Sequence, residues 1–289
     1  MDQNYPDLET DPEKPPPNIV IIMASDLGFN DVSFHGSNQF YTPNIDSLGY
    51  QGLILNNYYS PSVCSGSTAS FFTGKYPSRL GLQAAPLQND ESSGLGQMEK
   101  LMPEYFREGG YKTVLVGKWH LGFHQKVLTP LERGFDQHFG PWGARINYLD
   151  HSHRMPGGSK GLDMRNGTEV WKEARGTYAT NLFSEKAIEI VKEHNFEDQP
   201  LFLVLSHIAP GTNGDGDLQA RDANRRGFKP PPSRAEPFLR AAAAEKYNIT
   251  NANLAAAADC FQFSSRRRRL GSIFQTAAAD WFDYSSRRH

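Results

Sequence analysis

Cysteine is the scarcest informative residue in this chain: Cys64 and Cys260 are the only two among 289 residues. That number excludes a disulfide framework and leaves the redox compartment open. No apolar run approaches the ~20 residues that a membrane-spanning helix needs, so no membrane role is expected. The opening Met-Asp-Gln-Asn-Tyr-Pro has neither a basic n-region nor an apolar h-region. No signal peptide is therefore visible, which predicts either an intracellular protein or a start lying further upstream. A net charge of only -2 advertises no polyanionic partner for the chain as a whole. There is no internal repeat, and no aromatic or glycine patterning of a nucleic-acid module.

The even charge hides a division. Residues 221–289 carry 13 Lys+Arg against 6 Asp+Glu; taken from the chain totals of 30 and 32, this leaves 17 against 26 for residues 1–220. The composition changes at the same place. Arg225-Arg226, Pro230–Pro232, Ala241–Ala244, Ala255–Ala258, Arg266–Arg269 and Ala277–Ala279 replace ordered periodicity. Three segments are expected: a disordered leader over 1–17, a folded domain over 18–220, and a poorly ordered Ala/Arg-rich tail over 221–289.

Within the folded segment, Asn18–Ala24 is a continuous β-branched run, suited to a strand buried on both faces of a parallel sheet. It leads into Ser25-Asp26, the place where open α/β sheets put their ligands. Pro43 opens a short helix, and Gln97–Glu108 places Met98, Leu101, Met102, Tyr105 and Phe106 at helical spacing. Thr113–Val116 and Leu201–Leu205 read as further buried strands, with an amphipathic helix over Thr177–His194 between them. This alternation predicts an α/β fold with a mostly parallel sheet flanked by helices.

Several stretches carry a more specific signal: Pro17–Gly28, Cys64–Thr68, Thr73–Leu82 and Gly117-Lys118-Trp119-His120-Leu121-Gly122. Gly134-Phe135-Asp136 and Phe139-Gly140 add to them. Together they resemble the amino-terminal part of type I sulfatases, nearest to the arylsulfatase B-like group, over about residues 17–220. The resemblance implies the mixed, mostly parallel sheet of the alkaline phosphatase superfamily, here truncated to its amino-terminal portion. It also implies hydrolysis of sulfate esters, on sulfated sugars or aryl sulfates, by a formylglycine nucleophile with bound Ca2+. By that likeness, Cys64 is the residue converted to formylglycine by the formylglycine-generating enzyme, Lys118 contacts the sulfate and His120 orients the modified residue. Asp26, with Ser25 as its weak neighbour and Cys64 as formylglycine, would face the metal. Location would be lysosomal or secreted, with Asn166 and Asn248 as sequon acceptors.

The chemistry behind these roles is general. A helix amino-terminus offers free amides and a positive dipole end to an anion. A lysine ammonium stabilises charge on sulfate oxygens, and histidine can position a diol or pass a proton near neutral pH. Each residue also has a plainer reading: Cys64 as a small packed side chain, Asp26 as a strand-end cap, Lys118 as a solvated charge.

Departures from the pattern set the expected activity. The family signature Cys-x-Pro-Ser-Arg becomes Cys64-Ser-Gly66-Ser-Thr68, which frees the backbone and removes a guanidinium. An Asp-Asp pair becomes Ser25-Asp26, and hard cations want several anionic oxygens. The family's Ala-Pro-His turn reads Ala209-Pro210-Gly211, with His207 four positions earlier. No Ser/Thr-x-Asp-Asn-Gly segment follows Leu205. Impaired hydrolysis is therefore expected. The alternatives are an inactive sulfated-glycan-binding pseudoenzyme, and a fragment or misassembled reading frame.

Overall fold

In the computed structural model the described residues are 15–37, 41–155, 158–217 and 219, with the backbone alone of 270–276. Cys260 and Asn248 lie outside them. Three strands form the centre: β1 (Asn18–Ala24), β2 (Lys112–Gly117) and β8 (Leu201–Ser206). Their bounds follow the apolar runs of the sequence, because residues buried on both faces leave no polar position to interrupt the run. β8 lies between β1 and β2 and pairs in parallel with both, Ile21 opposite Val204 and Val114 opposite Leu203.

β3 (Gln137–Gly140) adds in parallel to β2. The short β6 (Arg165–Asn166) and β7 (Glu169–Val170) follow antiparallel at that edge, and β4 (Ser152–Arg154) with β5 (Lys160–Leu162) makes a separate hairpin. At the other edge β9 (Leu270–Thr276) pairs in parallel with β1, ending with Thr276 opposite Ala24. The order is β7-β6-β3-β2-β8-β1-β9. β9 lies within the segment 221–289, and the rest of that segment lies outside the described residues.

Alternation along the strands splits the core. Val20, Ile22, Val114, Val116, Leu203 and Leu205 face α1 (Pro43–Gln51) and α5 (Ala179–Glu193), through Ile45, Ala179, Phe183 and Ala187. Ile21, Leu115, Phe202 and Val204 face α2 (Cys64–Thr73), which brings Ala69 and Phe72. α3 (Pro77–Leu80) follows it, and α4 (Met102–Glu108) packs Met102 and Phe106 on the same face. α4 begins five residues later than the apolar spacing predicts. Pro103 suits the first turn, and the Glu104 carboxylate accepts from the Leu101 N–H at 3.1 Å, fixing the start there. Met98 is left outside the helix and 96% exposed. Among the described residues no helix is long and apolar enough to cross a membrane.

Candidate anion site at the strand ends

The carboxyl ends of β1, β2 and β8 meet in one place, and a close approach of backbone makes the meeting possible. A Cβ on Gly117 would lie 1.9 Å from the Ser206 carbonyl oxygen, and its φ of +104° is open to glycine alone. β2 can therefore turn flush across β8, with the Lys118 N–H donating to the Ser206 carbonyl at 2.9 Å. Trp119 anchors the turn: it is fully buried, and its indole N–H reaches the Gly122 and Leu128 carbonyls at 3.0 Å each.

The turn delivers Lys118 and His120. Lys118 is 8% exposed, and its ammonium donates to the Ser25 hydroxyl at 3.3 Å. It has no carboxylate within ion-pair distance among the described residues. A buried ammonium with one neutral partner is poorly compensated, and an anion is what would complete it. His120 has φ +56°, a left-handed backbone rare outside glycine and costly to hold. Its Nε2 donates to the Leu87 carbonyl at 2.9 Å, which leaves Nδ1 as a buried acceptor with no partner among the described residues. Burial, followed by the charge of Lys118 and that of Arg145, pushes the imidazole down to about 3. His120 is thus neutral at physiological pH, able to accept and not to carry charge.

Leu87 ties this turn to α2. Its N–H donates to the Ser65 hydroxyl at 3.1 Å while its carbonyl receives His120. Cys64, the first residue of α2, therefore belongs to the same corner as His120. It is a free thiol, half-buried. Thr68 bonds back to the Cys64 carbonyl at 2.9 Å, so its hydroxyl serves the helix. Gly66 is required by its surroundings: a Cβ there would stand 2.6 Å from the Leu82 carbonyl.

At the end of β1, the Ser25 N–H donates to the Ala209 carbonyl at 3.0 Å and Asp26 sits at φ +57°. Gly211 backs directly onto this carboxylate. A Cβ on it would lie 2.7 Å from Asp26 Oδ2 and 2.9 Å from the Ile208 carbonyl. A histidine in that position would displace Asp26. His207 lies elsewhere: the residue is 1% exposed, its ring packed beside Phe183 of α5 at 6.4 Å, with neither nitrogen bonded among the described residues. Burial pushes it down to about 4.

A calcium ion takes about six to eight oxygen ligands. This corner offers one carboxylate, Asp26, and one hydroxyl that is already beside an ammonium. Among the described residues no group of three His, Cys, Asp or Glu could hold a metal. The Ca2+ expected on Asp26 and Ser25 does not fit this donor set.

Sequence reasoning did not find Ser65, Leu87 or the contact between Gly211 and Asp26, since each depends on how distant loops meet. Of the two sequon asparagines, Asn166 lies among the described residues; it is exposed at the turn joining β6 to β7, with Gly167 at φ +62°.

The chain is 36% identical over 194 residues to arylsulfatase J of Mus musculus, covering 67% of this chain and 32% of that protein. N-acetylgalactosamine-6-sulfatase of Homo sapiens is 36% identical over 147 residues, 48% of this chain and 28% of that protein. The chain thus spans about a third of the length of these curated relatives. Among solved structures, Ps i-CgsB in complex with k-i-k-neocarrahexaose superposes with a TM-score of 0.73 at 25% identity, covering 90% of this chain and 58% of that one. The PsFucS1 sulfatase of Pseudoalteromonas sp. shares the fold, with a TM-score of 0.62 at 23% identity and coverage of 90% and 55%. The Sulfatase family model matches residues 17–276, and with the strand order and the Gly117–Gly122 turn it establishes that this chain belongs to the sulfatase family.

Proposed function

We propose that this chain binds a sulfated saccharide at Lys118 and hydrolyses sulfate esters, the reaction of its family, only weakly or not at all. The observation that carries this reading is the Lys118 ammonium, buried and met by a single hydroxyl at 3.3 Å. A sulfate group there would satisfy the ammonium, with the amino-terminus of α2 adding its dipole. His120, neutral and with Nδ1 free to accept, would orient a hydroxyl of the ligand or of a modified Cys64.

Hydrolysis needs more than binding. Conversion of Cys64 to formylglycine would supply the nucleophile, and the converting enzyme would have to accept Gly66 and Thr68. Among the described residues Asp26 is the carboxylate this corner offers to a cation, so no catalytic step is assigned to calcium. The loss of several cooperating groups depresses rate far more than the loss of one. We assign the folded domain to residues 18–220, with β9 added to its sheet; a lysosomal or secreted location follows from the family alone, and glycosylation of Asn166 from its sequon.

The test has two arms. Calorimetry with a monosaccharide sulfate should detect binding that Lys118→Ala weakens by about tenfold or more. Absence of binding by the parent chain would sink the reading. Mass spectrometry of the Cys64 peptide, after co-expression with the converting enzyme, should find thiol; aldehyde together with turnover of an aryl sulfate would restore the full hydrolase.

A further inference from the structure

The loop that follows β3 is held from three sides. The Asp163 carboxylate accepts from the Trp142 N–H at 3.1 Å and the Gly143 N–H at 2.8 Å. Asn89 Oδ1 accepts from the Ala144 N–H at 3.1 Å, and the Arg145 carbonyl meets His153 Nδ1 at 2.6 Å. Ile146, next in line, is fully buried. The backbone of Arg145 is therefore fixed while its side chain is exposed.

This loop borders the anion corner. The His120 N–H donates to the Trp142 carbonyl at 3.0 Å, and Asn89 stands two residues beyond Leu87, whose carbonyl receives the His120 ring. The Arg145 guanidinium adds to Lys118 in holding His120 neutral. Other arginines nearby are committed: Arg154 pairs with Asp215 at 2.7 Å, and Arg165 lies over the Trp142 ring at 4.3 Å. Arg145 has no acidic partner among the described residues. Two cations thus stand at different depths, Lys118 within the corner and Arg145 at its rim, and neither is neutralised.

We infer that Arg145 is a specificity-determining residue that reads a second anionic group, carboxylate or sulfate, on a sulfated saccharide whose first sulfate meets Lys118. This rests on the anion-binding reading given above. An exposed guanidinium on a rigid loop suits the task, because its fork pairs with either group in two parallel hydrogen bonds.

Calorimetry at low salt with N-acetylglucosamine 6-sulfate and glucosamine 2-N,6-O-disulfate tests it. Arg145→Ala is expected to weaken the disulfate by about fivefold and to leave the monosulfate within a factor of about 1.5. Lys118→Ala is expected to weaken both. Arg145→Lys should recover part of the loss, and added salt should erase the difference between the ligands. If Lys118→Ala weakens both ligands while Arg145→Ala affects both equally or neither, the inference falls and the anion-binding reading stands. If the parent chain binds neither ligand, both fall together.

Discussion

The ends of β2 and β1 flank β8 within one corner of the molecule, and they have been kept to different standards. At the end of β2 the turn itself is locked. Gly117 closes on Ser206, Trp119 spends its one donor on two carbonyls, and His120 is bonded through both backbone and ring. At the end of β1, Asp26 is backed by a glycine, and Ser25 offers a hydroxyl where the family pattern has a carboxylate. On the function proposed above, the difference teaches that the framework of an anion site can outlast its chemistry. Residues whose loss would disturb the sheet are held by packing, while those that serve only a bound cation or a leaving group can go without cost to the fold.

The same substitution at both ends should expose this contrast most strongly. Gly117→Ala would drive a Cβ into the Ser206 carbonyl at positive φ and is expected to cost about 4 kcal/mol or more, seen as lost soluble protein. Gly211→Ala meets Asp26 Oδ2 at 2.7 Å and the Ile208 carbonyl at 2.9 Å, looser than the Gly117 contact, and should cost about 2–3 kcal/mol by urea denaturation. Comparable losses at both glycines would erase the distinction.

Acid should act next, through buried imidazoles. Burial holds His138 and His207 at about 4, and His120 at about 3. All three stay neutral in the folded chain while the unfolded chain takes up protons below an ordinary value of about 6.5. Stability is therefore full above that pH and falls as pH drops, by about 1.4 kcal/mol per unit for each imidazole. Between pH 7 and pH 6 a loss of roughly 2 kcal/mol is expected, and an unchanged denaturation midpoint would contradict it.

The smallest effect belongs to β1. Ser25→Asp would set a carboxylate against Lys118 and is expected to raise stability by about 1 kcal/mol while weakening sulfate binding. Calcium at millimolar concentration should not move the melting temperature of the parent chain; a calcium-dependent rise of several degrees would show a cation site at this end after all.

How much of this was legible beforehand depended on locality. The central strands β1, β2 and β8 could be bounded to a residue or so because burial on both faces writes itself into consecutive positions. Lys118 and His120 could be singled out because six residues stand in order. The start of α4 could not be placed from apolar spacing, since the bond from Glu104 and the ring of Pro103 decide it. Nor could β9, whose partner lies some 250 residues earlier, nor the link from Ser65 through Leu87 to His120. Arg145 looks like any surface arginine until the loop that fixes it is seen.

The pairing of β1 has a consequence for how the chain is made. Its neighbours are β8 and β9, and the first bond between Asn18 and Leu201 spans 183 residues. At about 5–20 residues per second, this apolar strand waits roughly 10–40 s after synthesis before β8 exists to pair with it. Contacts of such separation also fold slowly. The nascent chain must pass that interval with an apolar strand unpaired, and its yield should depend on chaperones that cover Ile19–Met23 until β8 emerges.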